Sequence, residues 1–208
     1  MPEPVPPRLR AAIVGLFVAV TLASLLGTAL APYLLVKSPL GLVALSPAAH
    51  HVAMAAATVA PLPLIVVATV RRVLTGLGAY GLGYLYGNAA IIWLEQRHPR
   101  LARLVRWVER VFARVGVALL AVAPAPTIAV LAGAARSGLV RFLAALTVGH
   151  ALWNTVTFYL GDTFARRTDL LTAYLDEHLL ESTLVCVAIV VLQQAITRLL
   201  RRRRQPAP

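Results

Sequence analysis

From Ala11 to Val36 the chain runs 26 residues without a charged side chain, and no other feature of the sequence limits its fold so severely. About 20 apolar residues wound as a helix cross the ~30 Å hydrocarbon core of a bilayer. Five more apolar runs follow: Pro39–Val70, Val73–Leu94, Val115–Ala135, Leu139–Leu160 and Ser182–Leu200. Charged residues are 13 % of the chain, against about 25 % in a soluble domain. Arg8 and Arg10 before the first run would suit a secretory signal peptide, but its apolar stretch exceeds the roughly 7–15 residues of such a signal. Residues 11–36 are therefore read as a first transmembrane helix, after a disordered 1–10, in an all-α integral membrane protein.

Six runs do not make six spans. Only Arg71 and Arg72 separate the second run from the third, and only Arg136, Ser137 and Gly138 separate the fourth from the fifth. The second run holds Pro47, Pro61 and Pro63, and the fourth holds Pro124 and Pro126. Proline inside a helix removes a hydrogen bond and clashes with the preceding turn, at about 3 kcal/mol or more, so these residues predict breaks. Broken backbone at membrane depth survives only where protein or a water-filled cavity covers it. The two runs are thus read as re-entrant hairpins, 39–70 and 115–135, each followed by a span, 73–94 and 139–160.

Basic residues collect on the cytoplasmic side of membrane proteins, which tests this arrangement. Six spans with a cytoplasmic N-terminus place 11 basic residues inside and nine outside, whereas four spans and two hairpins place 15 inside and five outside. The second topology is preferred. Its hairpins enter from opposite faces, each ahead of a span, and so form an inverted repeat of the kind that sets a transport site near the bilayer midplane. Residues 95–114 carry arginines at 97, 100, 103, 106, 110 and 114 opposite an apolar face, the pattern of a basic amphipathic helix lying on the membrane surface. An outer loop over 162–181 with five acidic residues, a last transmembrane helix over 182–200 and a basic tail over 201–208 complete the reading.

The net charge of +12 lies just outside the apolar runs, which points to orientation and anionic headgroups; no nucleic-acid partner is expected. None of the eight acidic residues falls within a predicted membrane run. This argues against an intramembrane carboxylate relay and against the paired aspartates of a metal-dependent phosphotransferase. With no HExxH, GxSxG or nucleotide-binding glycine loop either, neither an enzyme nor a cofactor is expected. The lone Cys186 reads as a packing residue.

A short polar inventory remains inside the membrane. His50 and His51 follow Pro47; His150 and Asn154 lie one helical turn apart around Trp153; Arg136 and Arg141 bracket the joint after the second hairpin. These six residues suit a cavity that receives a phosphate headgroup, with arginine supplying charge. They also suit plain structure, with histidine and asparagine bonding between helices and arginine reaching to the interface. Adjacent histidines without a third ligand make no metal site. Gly83, Gly87, Gly133 and Gly149 read as points of close helix approach.

These segments resemble the DedA family, whose shared region is also called the VTT or SNARE-associated domain. The resemblance covers about Pro39 to Phe164. It rests on "GLGAYGLGYLYGN" from Gly76, on a proline break followed by Ala132–Gly133, on Phe142, and on the Gly-x-x-x-Trp of Gly149–Trp153. It implies two opposed re-entrant hairpins and movement of membrane phospholipids or polyprenyl phosphate between leaflets, by a flippase or scramblase of the bacterial plasma membrane with both termini cytoplasmic. The chain departs from the family in having "SPAAHH" where acidic residues are usual and "AVAPAPTIAV" where arginines are usual, which leaves proton coupling open. A non-transporting scaffold that binds anionic lipid or protein partners is the alternative, and homo-oligomerisation is open.

Overall fold

The structure, a computed structural model, describes residues 6–97, 118–163 and 173–203. Its elements are α1 (Pro7–Ala29), α2 (Ala31–Lys37), α3 (Pro39–Leu45), α4 (Ala49–Ala55), α5 (Pro61–Arg97), α6 (Pro126–Ala134), α7 (Leu139–Thr163) and α8 (Leu179–Arg203). There is no strand among the described residues. Among the described residues four helices are long and apolar enough to cross a membrane: α1, α5 over Pro61–Gly87, α7, and α8 over Leu179–Thr197. The described residues are thus all-helical in their regular structure, with four candidate spans, as the apolar runs predict.

Proline stands in the first turn of five of the eight labelled helices. Pro7, Pro39, Pro61 and Pro126 each open a helix, and Pro32 lies in the first turn of α2. There the missing N–H is one that has no partner inside the helix anyway, and the fixed φ suits the helix. The pair Pro61 and Pro63, expected to break a hairpin, instead starts α5, which continues through Arg71 and Arg72 without interruption. The expected hairpin end at 70 and span 73–94 therefore give way to a span over Pro61–Gly87. The physical reason is that no turn-forming residue lies between Leu64 and Thr75, so nothing ends the helix there. Once the arginine doublet moves into the span, 15 basic residues remain on the inner side of the charge count and three on the outer.

The first run also differs from its expected form: α1 ends at Ala29, and a turn at Leu30 precedes α2. Two breaks do fall at prolines, over 46–48 around Pro47 and over 123–125 around Pro124. The amphipathic segment predicted for 95–114 lies outside the described residues after Arg97, as do 1–5, 115–117, 164–172 of the predicted outer loop and the end of the basic tail from 204.

The chain divides into two compact units. In the first, Met1–Leu22 with Ile65–Val156, α1 and α5 run antiparallel: Arg10 meets Tyr86, Ile13 meets Gly81 and Val20 meets Arg71. On its other side α5 packs on α6 and α7 around Ala79, Tyr80, Leu120, Ala129, Phe142 and Leu146. Two glycines make the α5–α6 crossing close. A Cβ on Gly83 would strike the Val130 carbonyl, and one on Gly133 would strike the Tyr80 carbonyl. Gly87 lies against Ala134, and Gly149 against the carbonyls of Leu120 and Ala121.

The second unit, Ala23–Leu64 with Thr157–Pro208, packs α2 against α3, α4 and α8. Leu42, Val43 and Val52 are fully buried there. Gly161 lies against the Ala53 backbone, and Lys37 pairs with Asp176 at 3.3 Å.

Candidate functional site

Arg71 and Arg72 stand ten and eleven residues beyond Pro61, about 15 Å along α5 at 1.5 Å per residue. That is close to the middle of a spanning helix, where each arginine costs roughly 2.5–3.5 kcal/mol on insertion scales and marks a functional candidate by default. Arg71 is 7 % exposed. Its Nη1 donates to the Thr75 hydroxyl at 2.9 Å, and its Nη2 donates to the Val20 carbonyl of α1. The helix that carries the charge is thereby tied to its antiparallel neighbour.

Thr69 lies three residues before Arg72 and so on the same face of the helix, the face that meets α7. Asn154 is fully buried, and its Nδ2 donates to Thr69 Oγ1 at 3.0 Å. One turn earlier on α7, His150 is 6 % exposed, at the level of Arg72, which stands one turn beyond Thr69 on antiparallel α5. Two atoms of this group have no hydrogen-bond partner: His150 Nδ1 and Asn154 Oδ1. Leaving a buried polar atom unsatisfied costs about 1–3 kcal/mol, and such atoms are rare enough that a water, an ion or a function is the usual explanation. The cluster therefore has fixed positive charge together with an imidazole nitrogen and an amide oxygen open to a polar guest.

The six residues singled out from sequence do not converge. His150 and Asn154 join Thr69 and the face of α5 that carries Arg72, whereas Arg71 turns to α1. Arg141, exposed on α7, stands nine residues before His150, about 13 Å along the helix axis. Arg136 is exposed too, beyond the end of α6. Its backbone adopts φ 51°, the one non-glycine positive φ among the described residues. Arg136 N donates to the Gly133 carbonyl and Ser137 N to the Ala132 carbonyl, each at 3.0 Å. This pattern closes a helix C-terminus with a left-handed residue that is usually glycine. The Arg136 guanidinium lies 5.1 Å from the centre of the Tyr84 ring.

His50 and His51 belong to the second unit. His51 is buried, and its Nδ1 lies 2.8 Å from the Ser46 carbonyl, which as an acceptor requires the proton on that nitrogen. The side chain thereby closes the break over 46–48. His50 is exposed, its ring 4.2 Å from that of His51. It lines an open groove of about 370 Å³ with Ala53, Met54, Thr157 and Gly161. At the other break Trp153 Nε1 donates to the Val122 carbonyl at 2.7 Å.

Thr69, Arg71 and Arg72 were missed as site residues by the sequence reading. A signal existed: a doublet with no glycine, proline or asparagine beside it, inside continuous apolar sequence, is a pair of charges within a helix. No protein-family model, curated protein or solved structure matches this chain.

Proposed function

We propose that the chain moves a phosphate-bearing lipid headgroup, of a phospholipid or a polyprenyl phosphate, between the leaflets of a bacterial plasma membrane. The observation that carries this reading is the buried group on α5 and α7. Arginine charge stands there midway along a spanning helix, beside two polar atoms, His150 Nδ1 and Asn154 Oδ1, that lack partners. A headgroup phosphate fits that chemistry, with arginine as counter-charge and histidine and asparagine as weaker hydrogen-bonding steps, while the acyl chains stay in lipid.

The DedA type of this reading rests on the sequence resemblance. It treats the proline breaks at 46–48 and 123–125 as tips of re-entrant hairpins of opposite orientation. Two local features support the second tip. Its Val122 carbonyl meets Trp153, fourteen residues into α7, and the chain then returns through α6 to the start of α7. The basic excess on one side of the charge count supports cytoplasmic termini. Arg136 and Arg141 serve in this scheme as the first attraction for the phosphate.

Purified protein in liposomes carrying a fluorescent phospholipid tests the proposal. An impermeant quencher added outside bleaches the labelled lipid beyond the outer-leaflet share if headgroups cross. His150→Phe combined with Asn154→Leu slows the crossing by removing both polar steps without adding a charge. Bleaching no greater than in empty liposomes overturns the reading, and an unchanged rate in the double variant removes the cluster from the path.

A further inference from the structure

The buried group on α5 and α7 is sorted along its length. Arg72 and His150 share one level, and Thr69 and Asn154 share the next, about 5 Å away along the helix axes. Positive charge thus stands at one level and an uncharged pair, amide and hydroxyl, at the other. Arg72 is half-buried, His150 is 6 % exposed and Asn154 is fully buried. The described side chains of this unit include no acidic residue.

The Asn154 amide restricts what can meet it. Its Nδ2 donates to Thr69 Oγ1 at 3.0 Å, and its Oδ1, which can only accept, has no hydrogen-bond partner. Ionised phosphate oxygens also only accept, so a phosphate answers the arginine and leaves Oδ1 as it was. An ammonium group donates, but beside Arg72 it meets like charge, which is costly where no carboxylate offsets it. A neutral hydroxyl both donates and accepts. It satisfies Oδ1 as the amide stands, and it accepts from Nδ2 equally well when the amide is turned and Oδ1 takes the Thr69 hydrogen. At the other level His150 Nδ1, with the imidazole proton on it, donates to phosphate.

We infer that the cluster selects an anionic phosphodiester lipid whose headgroup carries a neutral hydroxyl, such as a glycerol headgroup, with the phosphate at Arg72 and His150 and the hydroxyl at Asn154. This rests on the proposed reading of the cluster as a stop for a phosphate-bearing headgroup, and narrows it to one headgroup chemistry. A glycerol headgroup holds its hydroxyls a few bonds beyond the phosphate, a reach comparable with the step between the two levels. Both partnerless atoms are closed to solvent, so the headgroup meets them as α5 and α7 part. A lipid of the same charge without the hydroxyl answers only the arginine level, so a preference between the two is the diagnostic property.

Native mass spectrometry of the full chain, purified from mixed micelles holding equal phosphatidylglycerol and phosphatidylpropanol with the same acyl chains, reads the preference directly. The two lipids carry the same charge and differ in the headgroup hydroxyls. The wild type retains phosphatidylglycerol in excess by about two- to tenfold, the worth of one hydrogen bond. Asn154→Leu brings the ratio to about one; Asn154→Ala, which only removes atoms, does the same should the larger side chain not be accommodated. Equal retention in the wild type means that water alone satisfies the amide and overturns the inference, as does an excess that survives both variants. The outcome is separable from that of the quenching experiment. Crossing without a preference leaves transport standing and removes the headgroup assignment, whereas a preference lost in the Asn154 variants without crossing keeps the assignment and removes transport.

Discussion

At the break over 46–48 the Ser46 carbonyl is met by His51, five residues further along the same stretch, and the Ser46 hydroxyl lies 3.2 Å from that of Thr28. At the break over 123–125 the Val122 carbonyl is met by the Trp153 indole from α7, 31 residues away. Both interruptions free a backbone carbonyl in apolar surroundings, and both recruit a ring N–H to satisfy it. The Ser46 carbonyl is met by a donor carried in the segment itself. The second break is closed only when α7 is in place, so it depends on the packing of α5, α6 and α7. A proline break in lipid is thus either a local device or a property of the assembled helices, according to where its donor lies.

The sharpest way to break this comparison is to part α6 from α5. Gly133→Leu forces a side chain into the Tyr80 backbone, and the expected loss is about 3 kcal/mol, the upper part of the range for overpacking. The thermal midpoint in detergent measures it, and a midpoint within error of the wild type contradicts the close crossing.

Next in size come Trp153→Phe and His51→Phe, each stranding a carbonyl at about 1–3 kcal/mol. Their sizes are similar, and their coupling should differ. In the Gly133→Leu background Trp153→Phe costs less than alone, because the packing that made its bond useful is already impaired, while His51→Phe keeps its full cost. Equal additivity of both removes the distinction between local and assembled closure.

The smallest effect has the opposite sign. Arg136→Gly relieves a left-handed residue, worth about 1–2 kcal/mol, but adds the entropy cost of glycine, about 0.5–1 kcal/mol. The net gain of somewhat under about 1 kcal/mol in unfolding free energy should appear as a slightly raised midpoint. A fall instead means that the guanidinium over Tyr84 outweighs the backbone.

The four apolar runs that became spans were legible because a long uncharged stretch admits few other fates. Pro47 and Pro124 were legible as breaks because proline in a helix interior removes a hydrogen bond and clashes with the preceding turn. Pro61, Pro63 and Pro126 were not read as helix starts, because proline alone does not say whether it ends one helix or opens the next. The sequence around it decides: Pro61 is followed by uninterrupted apolar residues with no turn former before Thr75. His150 and Asn154 were legible as one face from their spacing. Their neighbour Thr69 was not, since it is fixed only by the register of α5 against α7. The strain at Arg136 was hidden too, because the glycine that would mark such a turn stands two residues later, at Gly138.

The uneven burial of the four long helices has a consequence for biogenesis. Only 6 % of the most apolar window of α1 and none of that of α8 is buried in the protein, against 39 % for α5 and 33 % for α7. α1 and α8 can each partition into lipid on composition alone. α5 carries two arginines that together oppose insertion by about 5 kcal/mol or more, and its polar face is completed by α7. Forty-one residues separate the end of α5 from the start of α7, a delay of roughly 2–8 s at about 5–20 residues per second of translation. During that interval the nascent chain has α1, with its Val20 carbonyl, as the one long helix already made to shelter Arg71, while Arg72 waits for α7.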